Sequence, residues 1–215
     1  MNHERNYNKE ITQKSFQELE KVVKWLNIYS IQPIIIGGWA THYYVKGLGS
    51  RDIDLILEGK AFPILKKYCT EHNYTHDAST KTRFHFSKEL EKERIELDIF
   101  TFEHKNKLAK NQKIEVPWTL AKENSQDWQI NNATAKVPSI ELLLLYKTAA
   151  LIDRKHKLEK WALQPVQKQN LNSKIWKDTQ DIKELLKLEI SPNKLEELLK
   201  KTKFKKEFKN AIKPL

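Results

Sequence analysis

Hydrophobic spacing predicts a mixed first half of the chain. Apolar residues between 14 and 29 recur at steps of three and four, the period of an amphipathic helix, and the β-branched run at 34–36 is typical of a short buried strand. In chain order the predicted elements are a helix at 14–29, a strand at 34–36, a helix at 39–46, a strand at 53–57, a helix at 60–72, strands at 82–87 and 93–102, and weaker strands near 113–116 and 134–137.

The character of the sequence changes at Pro138. Ser139 is a favourable N-cap, and the apolar run after it begins a helix. From there on the pattern predicts helices only, at 139–153, 156–163, 173–188 and 192–212, with a break near Lys203. A mixed segment followed by helices indicates an α+β fold with a C-terminal helical domain, and we place the two domains at 1–137 and 138–215.

Composition limits the kind of protein this chain can be. It has 215 residues, 39% of them hydrophobic and 31% charged, which is enough for a packed core and too polar for an integral membrane protein. No apolar run reaches the roughly 18 residues of a membrane span, so we expect no membrane partner. Cys69 is the only cysteine, which excludes an internal disulfide and multi-cysteine zinc sites. We expect a cytoplasmic protein.

Positive charge is concentrated in the second half. The net charge is +11; residues 1–110 hold 18 Lys/Arg against 15 Asp/Glu, a net of +3, and residues 111–215 hold 21 against 13, a net of +8. Such an excess indicates a polyanionic partner. Lysine used only as a surface residue explains the excess equally well.

Glycine placement points to one short window. All five glycines lie between 37 and 59, and Gly37 and Gly38 separate a predicted strand from a predicted helix. Backbone N–H groups at the start of a helix, with no side chain in the way, form a site suited to phosphate. We therefore look for the chemistry of the protein around this glycine pair.

Paired acids follow the glycines. Asp52 and Asp54 are two apart on a predicted strand, so both carboxylates project from the same face. Adjacent acids repel each other, and a divalent cation such as Mg²⁺ or Mn²⁺ gives a reason for them, because it binds carboxylate oxygens together with substrate phosphates. Alternation on the strand at 93–102 leaves Glu96 and Asp98 on one face. Asp98 is our choice for the third metal ligand, and Glu96 is the alternative.

These residues together resemble a known signature. Gly37-Gly38, Asp52-Ile53-Asp54 and the later Asp98 look like the motif of the DNA polymerase β-like nucleotidyltransferase superfamily. The stretch V-P-S-I-E-L-L-L-L-Y-K-T-A-A-L-I-D-R and the later W-K-D-T-Q-D-I-K-E-L-L resemble helical motifs of AbiEii/AbiGii-type toxin nucleotidyltransferases. The resemblance covers about residues 30–190. It implies an α/β nucleotidyltransferase fold with a mixed sheet, a Mg²⁺ or Mn²⁺ cofactor, an NTP such as ATP as substrate, and a toxin role in a toxin–antitoxin or abortive-infection system, with a cognate antitoxin as partner.

The acceptor of the transferred nucleotide stays open at this stage. The second motif position is Gly38, where many members of the superfamily have serine, and Ser50 is not expected to replace that hydroxyl. The Gly-Gly-Trp-Ala form also resembles aminoglycoside and lincosamide nucleotidyltransferases. We therefore keep RNA, such as tRNA, and a small antibiotic as alternative acceptors. A third hypothesis is a catalytically silent nucleic-acid-binding protein, against which the three carboxylates argue.

Basic side chains are expected to bind the nucleotide: Arg51, Lys81, Arg83, Lys147 and Lys177. For Arg51 a structural ion pair is as well supported as ligand contact, and for Lys81 and Arg83 a solvated strand face is as well supported as triphosphate contact. Lys147 lies in a strongly apolar helix, and the resemblance favours an anion as its partner.

Two further acids lie late in the chain. Asp178 and Asp181 are three apart and share one helix face. We interpret them as a charge pair in an N-terminal turn, stabilised by the helix dipole, with a direct catalytic role as the alternative.

The expected reaction is an in-line attack by an acceptor hydroxyl on the α-phosphate of an NTP. Asp52 and Asp54 hold the metal ions, and Asp98 completes the metal site and orients or deprotonates the hydroxyl. Gly37 and Gly38 bind the outgoing phosphates through their backbone N–H groups.

Overall fold

A computed structural model describes residues 9–90, 93–103 and 116–215. The helices in these ranges are α1 (Lys9–Ile28), α2 (Gly37–Val45), α3 (Phe62–Glu71), α4 (Leu120–Glu123), α5 (Ile140–Lys160), α6 (Pro165–Leu185), α7 (Pro192–Lys200) and α8 (Lys205–Ile212), with a 3-10 turn at Gly59–Ala61. The strands are β1 (Ile34–Ile36), β2 (Ile53–Leu57), β3 (Thr75–Ser79), β4 (Arg83–Leu90), β5 (Glu93–Thr101), β6 (Ser125–Ile130) and β7 (Ala133–Pro138).

The strands form one seven-stranded mixed sheet in the order β3-β4-β5-β2-β1-β7-β6 within the described ranges. β2 runs parallel to β5 and β1 runs parallel to β7, while β1 and β2 are antiparallel. Alternation on β5 holds as predicted, because Ile95, Leu97 and Ile99 are buried while Asp98 is only half-buried. The α+β class with a mixed sheet and C-terminal helices is confirmed.

Helices cover the sheet through apolar faces of the expected spacing. On α1, Leu19, Val22 and Leu26 are fully buried, and on α5 the whole run Leu142–Leu145 is buried. These residues belong to one hydrophobic core that extends from α1 to α8. The hydroxyl of Tyr44 on α2 donates to the carbonyl of Pro138 at 2.7 Å, which ties the helix after the glycines to the strand that precedes α5. The division into domains at residue 137 stays a prediction.

Several boundaries differ from the prediction. α5 is continuous to Lys160, where a separate helix had been expected at 156–163, and α6 begins at Pro165 rather than at 173. The start of α6 is rich in Gln and Asn and has no apolar period, but a capping box between Gln164 and Gln167 fixes it. β3 and β6 were not predicted because both carry polar residues on exposed sheet edges.

Two other expectations have different outcomes. The break near Lys203 is confirmed, since α7 ends at Lys200 and α8 begins at Lys205. The strand expected near 113–116 lies outside the described residues except for Val116, which is not in a strand. None of the described helices combines the length and the apolar character needed to cross a membrane.

Candidate active site

Three aspartates meet where β2 and β5 lie side by side. Asp54 pairs directly with Asp98 in the parallel register of the two strands, and Asp52 lies just before β2. Asp98 rather than Glu96 is therefore the residue opposite Asp54. Because cross-strand partners project from the same face, the carboxylates of Asp54 and Asp98 come close together.

Their mutual repulsion is visible in the protonation of Asp54. Burial, followed by the charges of Asp98 and Asp52, raises the pKa of Asp54 from its ordinary 3.8 to about 7. No protein cation is hydrogen-bonded to this carboxyl within the described residues. Near neutral pH the Asp54 carboxyl is therefore protonated in a large fraction of the molecules.

Protein cations neutralise the other two aspartates. Lys174 Nζ donates to Asp52 Oδ2 at 3.1 Å, and Arg51 Nε lies 3.5 Å from Asp52 Oδ1. Burial acts to raise the pKa of Asp52, but attraction to Lys174 and Arg51 outweighs it and lowers the pKa. Arg51 is thus an ion-pair partner of the site, as one of its two interpretations required.

Asp98 has two partners on β4. Arg83 donates to Asp98 Oδ1 through Nη2 at 2.8 Å, and His85 Nδ1 lies 3.2 Å from the same oxygen. Burial acts to raise the pKa of Asp98, and the hydrogen bonds with His85 and Arg83 lower it overall. The hydrogen bond to Asp98 raises the pKa of His85. Arg83 thus contacts a site carboxylate, while Lys81 is exposed in the turn before β4.

The donor set suits a divalent cation, but it is not yet arranged around one. Three carboxylates offer the hard oxygen ligands that Mg²⁺ and Mn²⁺ prefer. Among the described residues, however, no group of three or more His, Cys, Asp or Glu side chains converges so as to hold a metal ion. The oxygens of Asp52 and Asp98 are directed at Lys174, Arg83 and their neighbours instead.

Gly37 is required by Asp54. Its φ is +66°, and a Cβ atom added there would lie 2.1 Å from Asp54 Oδ2. Any other residue would be strained in this backbone conformation and would displace the carboxylate. The glycine thus lets the first turn of α2 approach Asp54 closely, a role that the sequence argument had given to bound phosphate.

Gly38 is required by Ser50. A Cβ atom at residue 38 would lie 2.7 Å from both Cβ and Oγ of Ser50. The hydroxyl of Ser50 therefore occupies the space where a side chain at the second motif position would stand, contrary to the expectation from sequence distance. No side chain caps the N-terminus of α2, so its first N–H groups have no side-chain acceptor.

A buried ionic network joins α5 to α6. Lys147 Nζ donates to Asp181 Oδ2 at 2.6 Å and to Asp178 Oδ1 at 3.3 Å, and Lys177 Nζ donates to Asp181 at 2.9 Å. Arg154 forms an ion pair with Asp178. Burial, followed by the charge of Lys147, lowers the pKa of Lys177 to about 8.

The network corrects one interpretation and completes another. Asp178 and Asp181 lie in the second half of α6, so an N-terminal helix-dipole pair is wrong; both are buried partners of lysine. The expected anionic partner of Lys147 is supplied by the protein itself.

A cavity of about 50 Å³ lies between the network and two of the three aspartates, Asp52 and Asp54. Residues from both halves of the chain form its walls: Gly37, Gly38, Ser50, Asp52, Asp54, Lys147, Arg154, Lys174, Lys177 and Asp178. A larger cavity of about 400 Å³ lies at the other ends of β1 and β2 and contains none of the aspartates. We assign the candidate site to the smaller cavity because Asp52, Asp54 and four basic side chains line it.

Sequence reasoning missed Lys174. The residue precedes Lys177 by one helical turn, in a segment that was placed at the very start of a helix. Spacing from Lys177 could have put it on the same face, but nothing in the sequence connects it with Asp52, 122 residues away.

Comparison with solved structures identifies the fold. No protein-family model matches the sequence, and no curated protein is significantly similar to it. The crystal structure of ANT(2")-Ia in complex with adenylyl-2"-tobramycin superposes with a TM-score of 0.53 at 14% identity, covering 86% of this chain and 94% of that one. The lincomycin-bound lincosamide antibiotic adenylyltransferase LnuA gives a TM-score of 0.47 at 16% identity, covering 79% and 94%. The superposition on ANT(2")-Ia therefore identifies the described architecture as a nucleotidyltransferase fold.

Proposed function

We propose that this protein is a metal-dependent nucleotidyltransferase that moves a nucleoside monophosphate from an NTP to an acceptor hydroxyl. The observation that carries the proposal is that Asp54 pairs with Asp98, while Asp52 and Asp54 line a cavity together with Gly37 and Gly38 of α2 and four basic side chains. Carboxylates and phosphate-binding groups at one place are what a phosphoryl-transfer site needs.

Asp52, Asp54 and Asp98 would hold Mg²⁺ or Mn²⁺. A bound divalent cation supplies charge stabilisation to the phosphates and to the attacking oxygen. Asp54 is suited to this role, because burial and the charges of Asp98 and Asp52 raise its pKa, and no protein cation is hydrogen-bonded to it in the described part of the chain. Its proton would leave when a cation is bound.

The nucleotide phosphates would occupy the cavity between α2 and the α5–α6 pair. Gly37 and Gly38 line this space at the start of α2, and Lys147 and Lys177 line it as well. Helix N-termini and lysines both stabilise phosphate. The hydroxyl of Ser50 lies beside Gly38 and adds a hydrogen-bond donor to the same space.

The acceptor hydroxyl would attack the α-phosphorus in line. A bond forms between its oxygen and the α-phosphorus, the bond from that phosphorus to the bridging oxygen breaks, and pyrophosphate leaves. The lowered pKa of Asp98 makes this carboxylate a weak base, so we assign it the orientation of the hydroxyl, whose proton passes to solvent.

The test is nucleotide transfer by the purified protein. Each radiolabelled NTP is incubated with Mg²⁺ and with either total cellular RNA or a panel of hydroxyl-bearing antibiotics, and Asp54→Asn is the control. We expect label to be transferred from at least one NTP by the wild type and not by the variant. Absence of both NTP binding and transfer would refute the proposal.

RNA is our first candidate acceptor, and the charge and exposure of one surface segment support it. We name residues 155–168 the α5–α6 tip; this segment has four lysines and one glutamate. Trp161 is 50% exposed there, and Val166 is 68% exposed. Lysines attract a polyanion, and an exposed aromatic ring can stack on an unpaired base. α5 and α6 connect the tip to Arg154 and Lys174 in the cavity wall.

A salt series tests this acceptor. RNA affinity should fall by roughly 0.7–0.9 log units per log unit of salt for each phosphate contact, and Trp161→Ala should weaken it by about tenfold. Labelled RNA would agree with the toxin role implied by the sequence resemblance. Growth arrest on expression, relieved by a co-encoded antitoxin, tests that role separately.

A small hydroxyl-bearing molecule is the second candidate acceptor. The fold shared with the tobramycin-complexed ANT(2")-Ia extends over 86% of this chain, including helices after the sheet. Transfer to an antibiotic, together with RNA affinity that does not change with salt, would favour this candidate over RNA.

A further inference from the structure

Lys174 makes a contact in the cavity that the proposed reaction does not use. Lys174 on α6 reaches across to β2 and donates to Asp52 Oδ2 at 3.1 Å. This contact brings a cation from the helical segment against one of the three site aspartates. The described carboxylates do not converge on a metal position.

We propose that Lys174 is an internal counter-ion that holds the metal position in the free protein and moves to the nucleotide phosphates when metal and NTP bind. This inference rests on the proposed function and adds a positioning residue to it. It explains why carboxylates of the right chemistry are not arranged as a metal centre, because an ammonium group already neutralises Asp52.

The geometry permits the exchange. The Lys174 side chain is 35% exposed, so it is not locked in a packed interior. Its flexible four-carbon stem carries a compact charge with rotatable donors. Lys174 lines the same cavity as Gly37, Gly38 and Lys177, so a phosphate bound there is within the space that its ammonium group can reach.

Energetic coupling follows from this exchange. A divalent cation must displace Lys174 from Asp52, which weakens the affinity for metal alone. An NTP offers the displaced ammonium a new anion, so metal and nucleotide each strengthen binding of the other. Lys174 would thereby keep metal from binding without substrate.

The test measures Mn²⁺ binding in the absence of nucleotide, by electron paramagnetic resonance of free Mn²⁺. Lys174→Met should bind Mn²⁺ about tenfold more tightly than the wild type, because a like charge has left the site. Lys174→Arg should stay near the wild type. Lys183→Met is the matched control, since Lys183 is an exposed lysine of the same helix, and its Mn²⁺ affinity should not change.

Nucleotide binding provides the second measurement. In wild type, an NTP analogue resistant to α–β cleavage should tighten Mn²⁺ binding, and Lys174→Met should lose most of this synergy. Unchanged Mn²⁺ affinity in Lys174→Met, or an equal change in Lys183→Met, would overturn the inference even if the wild type transfers nucleotide. Absence of Mn²⁺ binding in every variant, with no transfer, would overturn the proposed function as well.

Discussion

Asparagine in place of Asp54 should stabilise the metal-free protein while it abolishes nucleotide transfer. The substitution keeps the shape of the side chain and removes a charge that Asp98 and Asp52 repel. A rise in pKa from 3.8 to about 7 corresponds to an upper bound of about 4 kcal/mol. We expect about 1–2 kcal/mol, because the carboxyl is only half-buried and its neighbours relax.

The pH dependence gives this prediction its sign. A carboxyl whose pKa is raised by folding contributes stability below its unfolded pKa near 4, and this contribution is lost as the pH rises to about 7. The gain from Asp54→Asn should therefore be absent below about pH 4 and complete above about pH 7. Urea unfolding with EDTA at several pH values measures it.

Asp52→Asn is the matched comparison, and its effect should have the opposite sign. The pKa of Asp52 is lowered, since its attraction to Lys174 and Arg51 outweighs burial. Removing the charge should cost about 1 kcal/mol at pH 8, a small value because this ion pair is partly exposed. Both variants should lose transfer. Equal stability changes in the two variants, or full transfer by either, would refute the assignment of charges in the site.

Four further predictions concern the glycines and the α5–α6 network. Gly37→Ala should lower the free energy of unfolding by about 1–2 kcal/mol or more, since φ is +66° and its Cβ would collide with a site carboxylate. Gly38→Val should lower the free energy of unfolding by about 1–3 kcal/mol, because its side chain would clash with Ser50. Thermal unfolding as well as nucleotide binding should therefore change. Asp181→Asn should cost about 3–5 kcal/mol in urea unfolding, against almost nothing for the exposed Glu184→Gln. ATP affinity should fall as the pH rises through about 8, where Lys177 loses its proton, and a calorimetric titration series measures this.

Local pattern predicted the acidic strands but not their neighbourhood. Alternation on β2 and β5 was sufficient to place Asp54 and Asp98 on the polar faces, and Asp52 lies just before β2. Asp54 lies directly opposite Asp98 because of the strand order, in which β5 lies between its hairpin partner β4 and β2. Pairing between strands distant in sequence leaves no periodic signal, so the grouping of the acids rested on the chemistry of a divalent-cation site and on the resemblance.

In the helical half, the sequence predicts the helices but not the ion-pair partners of their lysines. Its apolar face and the break near Lys203 follow from spacing, but the partners of Lys147 and Lys174 depend on how α5 and α6 pack on α2. The positions of the glycines indicated the candidate site, but the reason inferred for them, a bound phosphate, was different from the one observed. The tight approach at Gly37 is real, and it accommodates a carboxylate of the protein itself.

The ionic network also changes how the positive charge should be interpreted. The network of Lys147, Arg154 and Lys177 with Asp178 and Asp181 has a net charge of +1, and Lys174, which pairs with Asp52, adds one more. Together they account for +2 of the +8 in residues 111–215. The remaining +6 belongs to the rest of that half, and the α5–α6 tip alone carries +3 within 14 residues. Residues 200–213 carry +6 over the same length, so the tip is distinguished by its exposed tryptophan and not by charge alone. A cluster on the two helices that also form the cavity wall is what a polyanionic acceptor would need.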